Sequence, residues 1–218
     1  GTYWKRNISG LYGQLTGINL PQGGNVQLEY AEQYGTTKNP NFKYVLSKVT
    51  MNDGCNEPLP TIEHGKHSIT TSYKYEDGYY DRQKKEFFGF RIVKTTNADG
   101  TYQVDEYNTE EYYAKSSLKN TCSYAKDGAL LSKSETTLRE SPYAQPQCEY
   151  SWTYEKSGGN SEFVHTTTEY KYDGFGNCTE IKQDFGDGES ISGIIIYDNT
   201  DVSNYIIGLP VDIRVYDS

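Results

Sequence analysis

Three histidines, four cysteines and 30 acidic residues are the groups in this 218-residue sequence that could do chemistry. His64 and His67 stand three residues apart in IEHGKH, beside Glu63. A metal could use them, but that needs a His-x-x-x-His pair on one helix face or ligands converging from elsewhere. The stretch reads equally as a polar loop with two exposed histidines. His165 precedes Thr166 in a strand-like run and is expected at the surface. Asp184, Asp187 and Glu189 cluster in DFGDGES. A calcium loop would follow the order D-x-[DN]-x-[DN]-G, from which this departs. A tight acidic turn is the other reading. Cys55, Cys122, Cys148 and Cys178 are widely spaced and form no CxxC pair, against a zinc ribbon or redox motif. They fit buried or half-buried thiols, or one or two disulfides of an exported protein.

No GxSxG, GxxxxGK[ST] or GxGxxG after a strand is present, which removes the common nucleophile and phosphate-binding signatures. A Ser-His-Asp triad or a carboxylate pair needs no sequence proximity, so abundant serine and acid carry no information. The expectation is a chain without catalysis of its own, with no catalytic residue, cofactor or metal assigned.

The elements that would position any site are strands. "TEYKYDGFGNCTEIKQ" (168 to 183) shows why. Thr168, Tyr170 and Tyr172 alternate with Glu169 and Lys171, so they share a strand face. After the break, Thr179 and Ile181 fall on one face and Cys178, Glu180 and Lys182 on the other. Asp173-Gly174 is a turn signal because glycine takes φ > 0 without a Cβ clash, and Gly176-Asn177 offers a second such site. Two alternating runs around this break read as an antiparallel hairpin. Asp-Gly recurs at Asp53, Asp77, Asp99, Asp127, Asp173 and Asp187. Strand-like runs flank most of these pairs, and Gly158-Gly159-Asn160 supplies another turn. TTSYKYEDG (70–78) echoes TTTEYKYDG (166–174), with a weaker echo in QLEYAEQYG (27–35). EEYYAKSSLKN (110–120) is the best helix candidate, but its periodicity suits a strand and loop equally. Pro58 with Pro60, and Pro142 with Pro146, mark loops.

Composition agrees. Hydrophobic residues make up 34%, and tyrosine compensates with 22 copies against 7 Phe and 2 Trp. Tyrosine suits a strand whose ring is buried while its hydroxyl reaches water. The net charge of −9 argues against phosphate-backbone binding and against an anionic membrane surface. It keeps a large β surface soluble. The longest apolar run, Gly193–Tyr197, is far short of the ~20 residues of a membrane helix. Residue 1 is Gly and the only methionine is Met51, as expected of a processed chain or a piece of something longer. The fold class expected is all-β: an antiparallel chain of long β-hairpins forming an elongated or curved sheet. Residues 1–218 form a single module with a loose subdivision near 142–146.

Tyr170-x-Tyr172-Asp173-Gly174-x-Gly176-Asn177-x-Thr179-x-Ile181 resembles a YD repeat of the Rhs/YD-repeat superfamily. An earlier string is more specific: Tyr73, Tyr75, Gly78, Tyr79, Tyr80, Asp81, Glu86, Phe87, Gly89 and Phe90. It is similar to the segment preceding the repeat array in the B component of insecticidal toxin complexes and in SpvB-like proteins. LPQGGNVQLEYAEQYG with YVLSKVTMNDG resembles the stretch upstream of it, and YIIGLPVDIRVYDS a closing strand that leads toward the repeats.

The resemblance implies packaging. In those families β-hairpin strips coil into a hollow shell around a C-terminal toxic segment. This chain would then be a structural part of a large exported protein, secreted or on a bacterial cell surface. Its partners would be the rest of its parent chain, namely the repeat array and C-terminal cargo, and other toxin-complex subunits. Neither the Asp-Pro-x-Gly core-end signature, a toxin domain nor the docking β-propeller is present, so no proteolytic or toxic activity carries over. The alternative is a carbohydrate- or cell-surface-binding β module, with Trp4, Trp152 and surplus tyrosines stacking on sugar rings.

Overall fold

Alternating Tyr, Thr, Val and Ile runs broken by Asp-Gly pairs fold as hairpins, because a glycine that turns the chain lets each strand pair with its predecessor. The computed structural model describes residues 13–54, 68–139, 144–157, 160–204 and 206–217. The chain forms two compact units, residues 1–102 and 103–218, and the stretch 142–146 falls inside the second. In the first unit β1 (Gly17–Asn19), β2 (Asn25–Gln33), β3 (Lys43–Asn52), β4 (Ser68–Asp81) and β5 (Glu86–Thr96) lie side by side in chain order. β6 (Tyr102–Tyr107) begins at the boundary. The second unit continues with β7 (Leu118–Tyr124), β8 (Leu130–Leu138), β9 (Pro146–Ser157), β10 (Asn160–Tyr172), β11 (Cys178–Asp184), β12 (Ser190–Asp198) and β13 (Leu209–Asp217), again in chain order. Every pairing from β1 to β5 and from β7 to β13 is antiparallel. The chain is therefore all-β, built of successive antiparallel hairpins. Among the described residues the only helical element is a 3-10 turn at Val202–Asn204.

Among the described residues five turns share one geometry: Leu20–Gly24, Asn97–Thr101, Ala125–Ala129, Asp173–Asn177 and Phe185–Glu189. In each, the first residue's N–H donates to the fifth residue's carbonyl at 2.8–3.1 Å. The fourth residue is always glycine, with φ from +89° to +98°. Where that turn is Asp-Gly, the aspartate caps it: Asp99, Asp127 and Asp187 each accept the N–H two residues on, at 2.9–3.0 Å.

Two expectations from the sequence need correction, and two alternatives it left open are decided. In the 168–183 hairpin the glycine with positive φ is Gly176, not Gly174, and Asp173 is the first residue of the turn. Asp77-Gly78 makes no turn: β4 runs through it, with Glu76↔Ile92 and Gly78↔Phe90 in one register. The echo TTSYKYEDG puts Tyr80 where its counterpart has Gly176, and the left-handed residue is Asp77 itself, with φ +53° inside the strand. The chain instead turns after Asp81, whose Oδ1 accepts the N–H groups of Gln83 and Lys84, and Lys85 takes the positive φ of +56°. Pro146 opens β9 rather than lying in a loop, a strand position that needs no N–H. Pro142, Pro58, Pro60 and Gly158-Gly159 lie outside the described residues. Residues 110–117 are a turn leading into β7, so of the two readings of 110–120 it is the strand and loop that holds. Reciprocal bonds between Asn108 and the Ser116–Ser117 pair close it, and Ser116 has φ +62°.

Neither unit builds a thick interior. Among the described residues the buried apolar side chains are Phe88, Ala114 and Cys148. In a single sheet layer each strand face covers its neighbours only partially. β13 is the clearest case: Leu209, Val211, Ile213 and Val215 are 55–70% exposed, and among the described residues the strand pairs only with β12.

Gly78 is fixed by contact. A Cβ there would sit 3.0 Å from Asn39 Nδ2 and 3.1 Å from the Phe90 ring. Asn39 is 4% exposed, and its N–H is tied to Thr36 Oγ1, so it has little room to yield. Gly78→Ala is expected to cost the first unit about 1–2 kcal/mol by overpacking, measured as a drop in its urea midpoint at unchanged slope.

Candidate functional site

The tyrosines of the 168–183 hairpin lie on one face of β10, opposite Glu169 and Lys171. Tyr170 pairs with Ile181 and Lys171 with Glu180. One extra residue, Thr179, is then bulged out of β11, so Cys178 comes opposite Tyr172. Cys178 thus shares the tyrosine face rather than the Glu180 face, because a one-residue bulge switches the side on which later residues point.

Tyr170, Tyr172, Asp173 and Gly176 each bind something outside their own hairpin. The Tyr170 hydroxyl donates to Glu149 Oε2 at 2.5 Å and the Tyr172 hydroxyl to the Pro146 carbonyl at 2.6 Å, both in β9. Gln145 Nε2 donates to the Gly176 carbonyl at 2.7 Å. Arg139 donates to Gln145 Oε1 and sits 5.6 Å from the centre of the Tyr172 ring. Asp173 is the hub. Its Oδ1 accepts the N–H groups of Phe175 and Asn177, each at 2.9 Å. Its Oδ2 accepts Asn177 Nδ2 at 2.9 Å and Asn199 Nδ2 at 3.0 Å. Asn199 Oδ1 in turn accepts the Gly208 N–H, just before β13. The hairpin therefore clasps β9 on one side and the β12–β13 connection on the other. Glu149, Gln145, Arg139 and Asn199 carry no signal in the sequence, since they lie 21 to 31 residues from their partners or reach them through Gln145.

Electrostatics follow the bonding. Burial raises the Tyr170 phenol, and the bond and charge of Glu149 raise it further, far above the ordinary tyrosine range. Burial also raises the Cys178 thiol, which keeps it protonated and a poor nucleophile. Partial burial works to raise the Asp173 carboxyl, but the bonds from Asn177, Phe175 and Asn199 outweigh it and hold the group below the usual carboxylate range. A folded pKa below the unfolded value of about 3.9 gives stability that is present above that value and lost as the pH falls through the folded one. Between about pH 5 and about pH 3 the second unit is expected to weaken more in the wild type than in Asp173→Asn. Urea unfolding at the two pH values checks this, and equal losses in both proteins would assign the acid response to other carboxyls.

The first unit holds the Gly-Tyr-Tyr-Asp string. Tyr73 pairs with Thr95 and Tyr75 with Val93, and Tyr75 packs 5.1 Å from Phe90. Two glycine–aromatic pairs follow across β4 and β5: Gly78 faces Phe90, and Tyr79 faces Gly89, which has φ +111°. A bulge then leaves Phe88 unpaired between the pairs Tyr79↔Gly89 and Tyr80↔Phe87. Phe88 turns inward against Tyr79, with ring centres 5.6 Å apart, and is 1% exposed. Phe87 carries Lys43 Nζ 3.2 Å from its ring centre. The Tyr80 N–H donates to the Lys38 carbonyl, which docks the 36–39 loop onto β4. Asp81 caps the turn that ends at Glu86.

The remaining candidates do other things. His165 is half-buried rather than on the surface. It stacks on Tyr150 and sits 5.1 Å from Trp152. Lys133 and His165 flank Trp152 from the two strands that pair with it, so this indole has its neighbours inside the sheet. Asp184 and Asp187 cap their own turn through Gly186 and Glu189 N–H groups. Among the described residues no group of His, Cys, Asp or Glu is arranged to hold a metal. Cys122, Cys148 and Cys178 are free thiols. Glu63, His64, His67, Cys55 and Trp4 lie outside the described residues.

The model of one protein family, the insecticide toxin TcdB middle/N-terminal region, matches residues 3–121. The chain belongs to that family. The match takes in the Gly-Tyr-Tyr-Asp string and ends within β7, so the clasp around Asp173 lies beyond it. No curated protein sequence matches the chain. Among solved structures, the crystal structure of TcdB2-TccC3 aligns at a TM-score of 0.63 and 12% identity, covering 90% of this chain and 15% of that one. The TcdB2-TccC3-Cdc42 crystal structure aligns at 0.62 and 12%, with 90% and 15% covered. The Tc holotoxin pore of Photorhabdus luminescens, carrying a TccC3 mutation, aligns at 0.64 and 11%, with 90% and 14% covered. At such identities the likeness is one of fold. This member of the TcdB middle/N-terminal family spans about a seventh of those chains.

Proposed function

We propose that this chain is a length of structural wall in a larger exported toxin-complex protein. It contributes a β-hairpin strip to a shell that encloses a C-terminal effector, and it performs no catalysis itself. Its partners are the repeat array and cargo of its own parent chain together with other toxin-complex subunits. The setting is secreted or on a bacterial cell surface. The observation that carries the reading is the single-layered sheet. Its tyrosine hydroxyls and the Asp173 carboxylate bind neighbouring hairpins, while apolar residues of β13 stay exposed. Such a strip is stable as part of a continuous wall, and an apolar edge left open is a template for further pairing. Membership of the TcdB middle/N-terminal family supports the same reading.

Hydrogen exchange of residues 209–217 tests it. In the intact parent protein these amides are expected to exchange slowly, because a neighbouring strand covers them. In the isolated chain at low concentration they are expected to exchange fast. Equally fast exchange in both would overturn the wall reading.

A further inference from the structure

We propose that the open edge of β13 pairs with β13 of a second copy of this chain, antiparallel and about a two-fold axis through Ile213. Among the described residues β13 has β12 on one side and no strand on the other. An edge strand offers a row of main-chain donors and acceptors, and a strand that adds to it is selected by its side chains.

The centre of β13 reads Val211-Asp212-Ile213-Arg214-Val215. Antiparallel pairing reverses the copy's order, so this pentapeptide is its own complement. With Ile213 opposite the copy's Ile213, Asp212 stands opposite the copy's Arg214, and Arg214 opposite the copy's Asp212. Val211 and Val215 meet at both ends. A two-fold contact of this kind uses the same patch on both chains and closes on itself. The register is also singular. The neighbouring two-fold registers, centred on Asp212 or on Arg214, set that charge against its own copy, and like charges directly opposite are destabilising.

The groups that would meet are available. The Asp212 and Arg214 side chains are 40% and 56% exposed. Arg214 Nε donates to Asp212 Oδ2 at 2.7 Å along the strand. In the dimer two such pairs close into a ring of four alternating charges. On the other face Ile195 pairs with Ile213, and the copy extends this to a row of four isoleucines. Val215 stands opposite Gly193, which has no side chain to cover it. One feature limits the contact. Asp212 pairs with Ile196 and Pro210 with Tyr197, so Val211 is bulged from the ladder. Pro210 has no N–H to donate, so the new ladder is short. The dimer is therefore weak, of the small transient class. It belongs to the chain whose edge is open, whereas the wall reading concerns the parent protein, in which a neighbouring strand takes that edge. The dimer does not rest on the wall reading.

Sedimentation equilibrium of the full chain from about 5 to about 500 μM tests the dimer. The average mass is expected to rise toward twice that of one chain, and amides of residues 209–217 to become protected at the high concentration. Asp212→Arg and Arg214→Asp, each placing like charges opposite one another twice, are expected to associate at least about tenfold more weakly than wild type. An equimolar mixture of the two variants is expected to associate again, because one brings two positive and the other two negative charges to the same register. Circular dichroism identical to wild type confirms that these exposed variants are folded. The mass of one chain at every concentration would overturn the proposal. So would association that leaves 209–217 unprotected, single variants that associate like wild type, or a mixture no stronger than its components. None of these results bears on exchange in the parent protein, so the wall reading stands or falls separately.

Discussion

Phe88→Ala is expected to destabilise the first unit by about 3–5 kcal/mol, the usual cost of deleting a fully buried aromatic ring. Phe88 is the most deeply buried large side chain among the described residues, at 1% exposure. It reaches that position because the bulge in β5 removes it from the ladder and turns it inward between Tyr79↔Gly89 and Tyr80↔Phe87. A single-layered sheet has few side chains to collapse into the space, so relaxation recovers little. A unit of about a hundred residues carries about 5–15 kcal/mol in all, so the variant should sit near its unfolding threshold. Phe88→Leu, which fills most of the volume, should cost about 1.5 kcal/mol or less. Urea unfolding, with hydrogen exchange of residues 68–96 to place the loss in the first unit, measures both. A loss under about 1 kcal/mol for Phe88→Ala would mean that the bulge closes over the space, and that the strand pairing rather than this ring holds the unit.

Asp173→Ala should cost the second unit about 2–3 kcal/mol. Four donors converge on its two oxygens, from Phe175, Asn177 and Asn199. A hydrogen bond to a charged group contributes about 1.5–3 kcal/mol, and partial exposure keeps the sum well below four times that. Two of the four bonds close the turn, and one ties the hairpin to the β12–β13 connection. The loss should therefore spread beyond β10 and β11, with residues 199–217 exchanging faster as well. Asn199→Ala and Asp173→Ala should be non-additive by at least about 0.5 kcal/mol in a double-mutant cycle. Strict additivity would reduce Asp173 to a local turn cap with no part in joining hairpins.

Turn chemistry made much of this fold legible. Asp99-Gly100, Asp127-Gly128 and Asp187-Gly188 turn where their sequences say, because only glycine enters the fourth position of that turn without strain. The same rule applied two residues off at Asp173-Gly174, where Gly176 fills the position. It failed at Asp77-Gly78, where Asp77 takes the positive φ of +53° and the strand runs on to Asp81. Local pattern could not see the bulges at Phe88 and Thr179 either. A bulge is chosen by the packing of the partner strand, and it moves every later residue to the other face.

The sequence by itself determined that the chain is all-β, that its strands connect as successive hairpins, and that tyrosine and glycine carry its two motifs. Alternation, φ-permissive glycines and β-favouring residues act within a few positions, and each is a property of the local chain. Only the tertiary structure decided which face Cys178 takes, that Phe88 becomes the buried ring, and that Glu149, Gln145 and Asn199 complete the Tyr170–Asn177 clasp. These depend on register between strands tens of residues apart. Register is set by the sum of many cross-strand contacts, and no single stretch of sequence contains that sum.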